Sequence, residues 1–260
     1  NSPPKEYKYR FGWEFPISIS PHDPNTLYTA GNLAFKSTDE GTTWEPISGD
    51  LTRDDPNKQE LSGPITSEGP WAEIYCTIYS FAESPSKPGL LWAGTDDGLI
   101  HISLDGGGKW TNVTPHDLPE WTMISTIEPS IHDPAKAYVA ATRYKLDDNR
   151  PMIYKTTDYG VTWELIVSGI EDGDFTRVVR EDPEQAGLIY AGTETGVYFS
   201  IDDGYHWQPI QLNLPIVPIY DISVKDSDLI VATHGRSFWI LDDISPLQQS
   251  SALALTGDTR

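Results

Sequence analysis

Three carboxylates invite a chemical reading first: the adjacent pair Asp96 and Asp97, and Glu194, each in a short polar turn between apolar runs. Glycoside hydrolysis generally uses two carboxyl groups about 5–9.5 Å apart, one acting as acid and the other as base or nucleophile. Asp97 with Glu194 is the pair that would serve if the chain is such an enzyme, although their turns lie two repeats apart. Four more aspartates, Asp39, Asp105, Asp158 and Asp202, resemble an acidic catalytic set. Each, however, holds the same place in an octamer, Ser/Thr-x-Asp-x-Gly-x-x-Trp, running Ser37–Trp44, Ser103–Trp110, Thr156–Trp163 and Ser200–Trp207. In such a turn the Asp accepts backbone N–H bonds and the Gly supplies a conformation that a Cβ would penalise. Trp44, Trp110, Trp163 and Trp207 then add large apolar area beside neighbouring strands. These aspartates are therefore expected to build turns in separate repeats.

The elements that must position these groups repeat with the octamer. An apolar run precedes each one: Leu27–Gly31, Leu90–Gly94, Ala137–Ala141 and Leu188–Gly192, with a fifth copy at Leu229–Thr233. Before each run comes a turn rich in Pro or Asp, and before that a β-branched run such as Ile17-Ser18-Ile19 or Thr176–Val179. Short strands bounded by turn residues at regular intervals predict an all-β propeller of four-stranded antiparallel blades, with the octamer forming the hairpin between the third and fourth strands. Five blade repeats are expected, over about 12–48, 73–114, 122–168, 174–212 and 217–245. The fifth is degenerate: Phe238–Asp243 keeps a third strand but has lost the Gly and Trp. Residues 248–260 read as a polar tail. The alternating run Glu6–Phe11 either supplies the missing strand of the fifth blade and closes a five-bladed ring, or the chain is the C-terminal portion of a larger propeller.

Composition narrows the function classes. With 39 acidic and 18 basic residues the formal net charge is −21, so most of the surface repels a phosphate backbone and nucleic acid is not expected as a partner. No apolar run approaches the ~20 residues that span a bilayer. Asn1 in place of an initiator Met leads us to expect a processed product or a piece of a longer protein. Cys76 stands alone in a strand-like run and reads as a small buried apolar residue. Asp96-Asp97-Gly98 and Asp147-Asp148-Asn149 offer oxygen ligands, but neither has the spacing of a calcium loop; no metal or cofactor is expected.

The four octamers and the strands around them resemble the Asp-box (bacterial neuraminidase repeat) propellers over nearly the whole chain. Tracts such as Phe15–Pro24 and Ala232–Trp239 look like large secreted bacterial proteins of the sortilin-like or glycosyl hydrolase-like type. That resemblance implies a secreted or periplasmic protein and favours the larger-propeller explanation. It implies fold rather than activity. The sialidase pattern is not met, since the matching first-blade strand reads Phe15-Pro16-Ile17 without its Arg.

In a propeller the first strand of each blade lines the central channel. Loops leading into it share one face with those joining the second and third strands, opposite the octamers. On that face the reading gathers Trp71, Glu73, Asp96, Asp97, Trp121, Arg143, Tyr144, Asp174, Glu194, His234 and Arg236. Grouped loop residues of this kind are expected to bind a protein, peptide or glycan ligand. The alternatives are a glycoside hydrolase, or a structural role in which open blade edges pair with another chain. The segment Ser48–Trp71 exceeds the ~12–15 residues of most structureless connections and is expected to be a binding loop, an interface or an insertion.

Overall fold

The computed structural model describes residues 3–60 and 74–256, with side chains to Ser251. Within them, β-strands follow one another in five antiparallel sheets. Blade one holds β1 (Ile17–Ile19), β2 (Leu27–Ala30), β3 (Ala34–Ser37) and β4 (Glu45–Pro46). Blade two holds β5 (Ile78–Glu83), β6 (Leu91–Thr95), β7 (Ile100–Ser103) and β8 (Thr111–Asn112). Blade three holds β9 (Met123–Pro129), β10 (Ala137–Arg143), β11 (Asp148–Thr156) and β12 (Glu164–Leu165). Blade four holds β13 (Thr176–Glu181), β14 (Ile189–Thr193), β15 (Val197–Ser200) and β16 (Gln208–Pro209). Blade five has three strands among the described residues: β17 (Ile219–Lys225), β18 (Asp228–Thr233) and β19 (Phe238–Leu241). The architecture is a β-propeller.

Period-2 alternation along the second strand of each blade explains how the blades stack. Tyr28 and Ala30 share a buried cluster with Leu91 and Ala93 of the next blade. In the same way Trp92 joins Val139, Tyr138 joins Ala191, and Tyr190 joins Val231. Each sheet is therefore apolar on both faces, one towards the preceding blade and one towards the next. Blade one packs on blade two and blade four on blade five, in sequence order.

The octamers lock this stack. In the first, Asp39 accepts hydrogen bonds from Ser37 Oγ and Thr43 N–H, both at 2.8 Å, and Ser37 Oγ accepts from Gly41 N–H at 2.9 Å. The same bonds recur around Asp105, Asp158 and Asp202. The Trp then ties its blade to the preceding one. Indole N–H groups of Trp110, Trp163 and Trp207 donate to the carbonyls of Ile47, Val113 and Ile166 at 2.8, 2.6 and 2.7 Å. Gly160 lies at φ 82°, and a Cβ there would sit 2.8 Å from Val113.

Two expectations need correction. The expected closing strand over Glu6–Phe11 does not form: Pro4–Glu6 is a 3-10 turn, no strand follows through residue 11, and among the described residues β19 pairs only with β18. The cause is Arg10, whose buried side chain ion-pairs with Asp50 at 2.7 Å and Asp54 at 3.0 Å on the loop face of blade one. Nor is the segment beyond 248 a simple tail, because Ser245–Thr256 forms a helix, α1. Asp243 accepts from Ser245 N–H, Pro246 falls in the first turn where its missing N–H costs nothing, and Ser251 Oγ bonds the carbonyl of Ile201.

Candidate functional site

In blades one, two, four and five the turn between second and third strands is fastened to the segment entering the first strand of its own blade. Asn32, Asp96, Glu194 and His234 donate their backbone N–H groups to the carbonyls of Arg10, Thr77, Phe175 and Pro218. This repeated bond brings the predicted turn residues to the mouth of the channel.

The first strands themselves carry an irregularity there. Pairing shifts by one residue between Ile78 and Ser80, between Ile124 and Thr126, between Thr176 and Val178, and between Ile219 and Asp221. Such β-bulges leave one residue unpaired and re-aim its side chain. The bulged Tyr79, Arg177 and Tyr220 all line a central funnel of about 680 Å³, with Trp13, Glu14, Tyr75, Thr77, Asp96, Met123, Tyr144 and Lys145. Blade one pairs without a shift; its Trp13 and Glu14 reach the funnel from the entering segment, and Tyr79 donates its hydroxyl to Glu14.

Arg177 is the centre of the arrangement. Its guanidinium donates twice to Glu194, at 2.5 and 2.9 Å. It also lies 4.6 Å from the ring centre of Tyr220, 4.8 Å from Phe175 and 5.3 Å from Tyr144. Tyr144 stacks on Phe175 at 4.9 Å, and His234 on Tyr220 at 5.0 Å. Cation–π and stacking contacts of this kind fix ring orientations before any ligand arrives. A second stack, Tyr75 on Trp121 at 5.8 Å, borders an adjoining recess of about 180 Å³ that also takes in Asp96 and Arg143. The result is an aromatic wall with a neutralised ion pair at its centre.

The carboxylates divide by environment. Asp96 is buried yet borders the funnel; it accepts from Thr77 N–H and Thr77 Oγ, both at 2.9 Å, and burial pushes its pKa up to about 7. Asp97 points into the interior, accepting from Thr95 Oγ at 2.5 Å and from Arg53 N–H at 2.8 Å. Burial raises its pKa too, and burial with the nearby Asp97 charge pushes the Cys76 thiol up to about 12. Asp174 is likewise an internal brace, bonded by Thr193, Thr195 and Tyr198. Asp148 is tied to Arg150 at 2.7 Å and Arg143 at 3.7 Å, which accounts for its charge within the chain.

The structure thus brings Asp96, Trp121, Arg143 and Tyr144 to the funnel and its recess, with Glu194 behind it through Arg177 and His234 at the rim through Tyr220. Asp97 is withdrawn from it. Arg236 is exposed, and its carbonyl accepts from Trp239. Trp71 and Glu73, with much of the Ser48–Trp71 segment, lie outside the described residues. Sequence reading missed Arg177, Tyr220, Tyr79, Tyr75, Trp13 and Glu14. Their runs look like ordinary strands or strand entries, and the bulges that turn three of them inward leave no mark in the residue types.

No protein-family model matches the chain, and no curated protein matches it. Solved structures do. An ancestral GH74 enzyme superimposes with a TM-score of 0.62 at 18% identity, over 90% of this chain and 29% of that one. The GH74 xyloglucanase from Xanthomonas campestris gives 0.63 at 17%, over 88% and 36%. YCF48 bound to D1 peptide gives 0.52 at 17%, over 88% and 68%. The likeness is one of fold. The chain spans about a third of the GH74 structures it matches.

Proposed function

We propose that the chain is a secreted or periplasmic recognition propeller of the Asp-box type, akin to sortilin-like proteins, whose funnel binds an extended peptide segment of a partner protein. The observation that carries this reading is the set of bulged first-strand residues. Tyr79, Arg177 and Tyr220 converge on one funnel and are held there by Glu14, Glu194 and stacked rings. A pre-ordered aromatic wall offers contact area at little entropic cost. The carboxylates nearby are engaged with the chain's own groups. A fold neighbour solved with a peptide bound lends support by analogy. A peptide-array screen followed by titration tests it. Tyr220→Ala and Tyr144→Ala should each weaken a hit by tenfold or more, whereas Arg236→Ala should leave it within about twofold; a hit insensitive to both tyrosines sinks the assignment.

A glycoside-cleaving reading draws on a different observation, the raised pKa of Asp96 at the funnel edge, which keeps a carboxylic acid partly protonated near neutrality. It moves the candidate acid from Asp97 to Asp96, with Glu194 the nearest counterpart by role. Turnover of a β-glucan or sialoside panel that is abolished by Asp96→Asn would establish it, and absence of turnover would remove it.

A further inference from the structure

We propose that the outer face of blade one is a docking surface for a further blade of the same build, lying before blade one in the ring. Four observations converge on that occupant. The first is a register comparison. Ile17 pairs with Thr29, and the residues in the same place of the other blades are Phe81, Ile127, Val179 and Ile222. Those four are 8%, 3%, 0% and 1% exposed because each packs on the preceding blade; Ile17 is 66% exposed.

The second is the indole bond. Trp110, Trp163 and Trp207 each donate to a carbonyl on the fourth-strand side of the blade before. Trp44, in the same octamer position, has no such acceptor among the described residues and is 39% exposed. Third, the octamer glycines Gly107, Gly160 and Gly204 abut Ile47, Val113 and Ile166, the residues that accept those indole bonds, whereas Gly41 meets only Trp44 and Leu27. The face thus lacks a fourth-strand aliphatic residue with a free carbonyl.

Fourth, the segment entering blade one runs as the inter-blade linkers do. Leu118 shares a buried cluster with Tyr154, and Ile170 shares one with Tyr198, each linker residue covering the third strand of the blade it enters. Phe11 stacks on Phe35, the residue at that position in blade one, 5.9 Å away. Arg10 supplies the carbonyl that Thr77 and Phe175 supply elsewhere. The upper part of the face is therefore already dressed for a neighbour, and the strip of Ile17, Ile19 and Trp44 is what the neighbour covers. A head-to-tail second copy fits poorly, because among the described residues blade five has no fourth strand to offer Trp44.

The test joins a duplicate of residues 74–169, blades two and three with the Ile166 carbonyl, ahead of Pro3 of the whole chain. Hydrogen exchange of the Trp44 indole N–H is followed by NMR. Docking predicts exchange slowed at least tenfold relative to the chain alone, and a lowered thermal midpoint on Trp44→Phe in the fusion but not in the chain alone. A second fusion carrying residues 122–212 guards against one duplicate failing to fold. Unchanged Trp44 exchange in both fusions overturns the proposal. So does a chain that self-associates at micromolar concentration with Trp44 protected, since the occupant is then a second copy.

Discussion

Single residues show how burial, rather than residue type, decides what a carboxylate does. Asp96 and Asp97 are neighbours, yet one borders the funnel and the other braces the interior. Truncating Asp97 leaves Arg53 N–H and Thr95 Oγ without their acceptor, so Asp97→Ala should cost about 2–4 kcal/mol in chemical denaturation. Glu194→Gln, at a partly open site, should cost about 1 kcal/mol or less. Asp96 has a folded pKa raised above its unfolded value, so the folded state holds the proton more tightly. Its contribution is fully present below about pH 4 and is lost as pH rises towards 7. Asp96→Asn should therefore gain stability relative to the native chain as pH goes from 4 to 8, by on the order of 4 kcal/mol. A pH-independent difference between the two melting curves would contradict this. Asp39 and Asp105 carry the opposite sign: backbone N–H donors hold their pKa values down, so their turns weaken only as pH falls through the acid range.

At the scale of elements, the octamer is a clamp between blades as much as a hairpin within one. Trp207 is fully buried, and its indole N–H satisfies the Ile166 carbonyl. Trp207→Phe should destabilise by about 1–3 kcal/mol, from the orphaned carbonyl and the lost area. Trp44→Phe should change the chain alone by less than about 0.5 kcal/mol, since its indole N–H has no acceptor among the described residues. Gly160→Ala combines a left-handed backbone with a close approach to Val113, and should cost about 1–3 kcal/mol. Equal losses from Trp44→Phe and Trp207→Phe would show that the clamp does not act between blades. A further bond set crosses the blades nearer the channel, where Arg180 joins Glu128 at 2.9 Å and Asp221 at 2.7 Å, linking blades three, four and five.

For the whole molecule, the arc behaves as a one-dimensional stack in which each blade leans on its neighbours. Blades three and four are covered on both sides, while blade one exposes Ile17 and Ile19 and blade five exposes Phe238 and Ile240. Amide exchange should accordingly be fastest in β1 and β19 and slowest in β10 and β14, and uniform protection across the five sheets would contradict an open arc. The net charge of −21 adds self-repulsion that salt screens. The melting temperature should therefore rise between low and physiological ionic strength.

The residue types and their spacing were enough for the propeller, its five repeats, the degenerate fifth and the structural role of the octamer aspartates. All of these rest on local rules: period-2 alternation, turn chemistry and a constant motif. The same rules placed Asp96, Trp121, Tyr144 and Glu194 near one face, because loops of like position in stacked blades must lie together. They failed for Asp97, whose turn is polar but whose side chain folds inward onto Arg53 and Thr95. They also failed for Glu6–Phe11, where alternation suggested a strand and the ion pairs of Arg10 won. Above all, they were blind to Tyr79, Arg177 and Tyr220. A β-bulge is a one-residue disagreement between two strands, and no single strand records it; only pairing against the second strand of each blade turns those three side chains into the funnel.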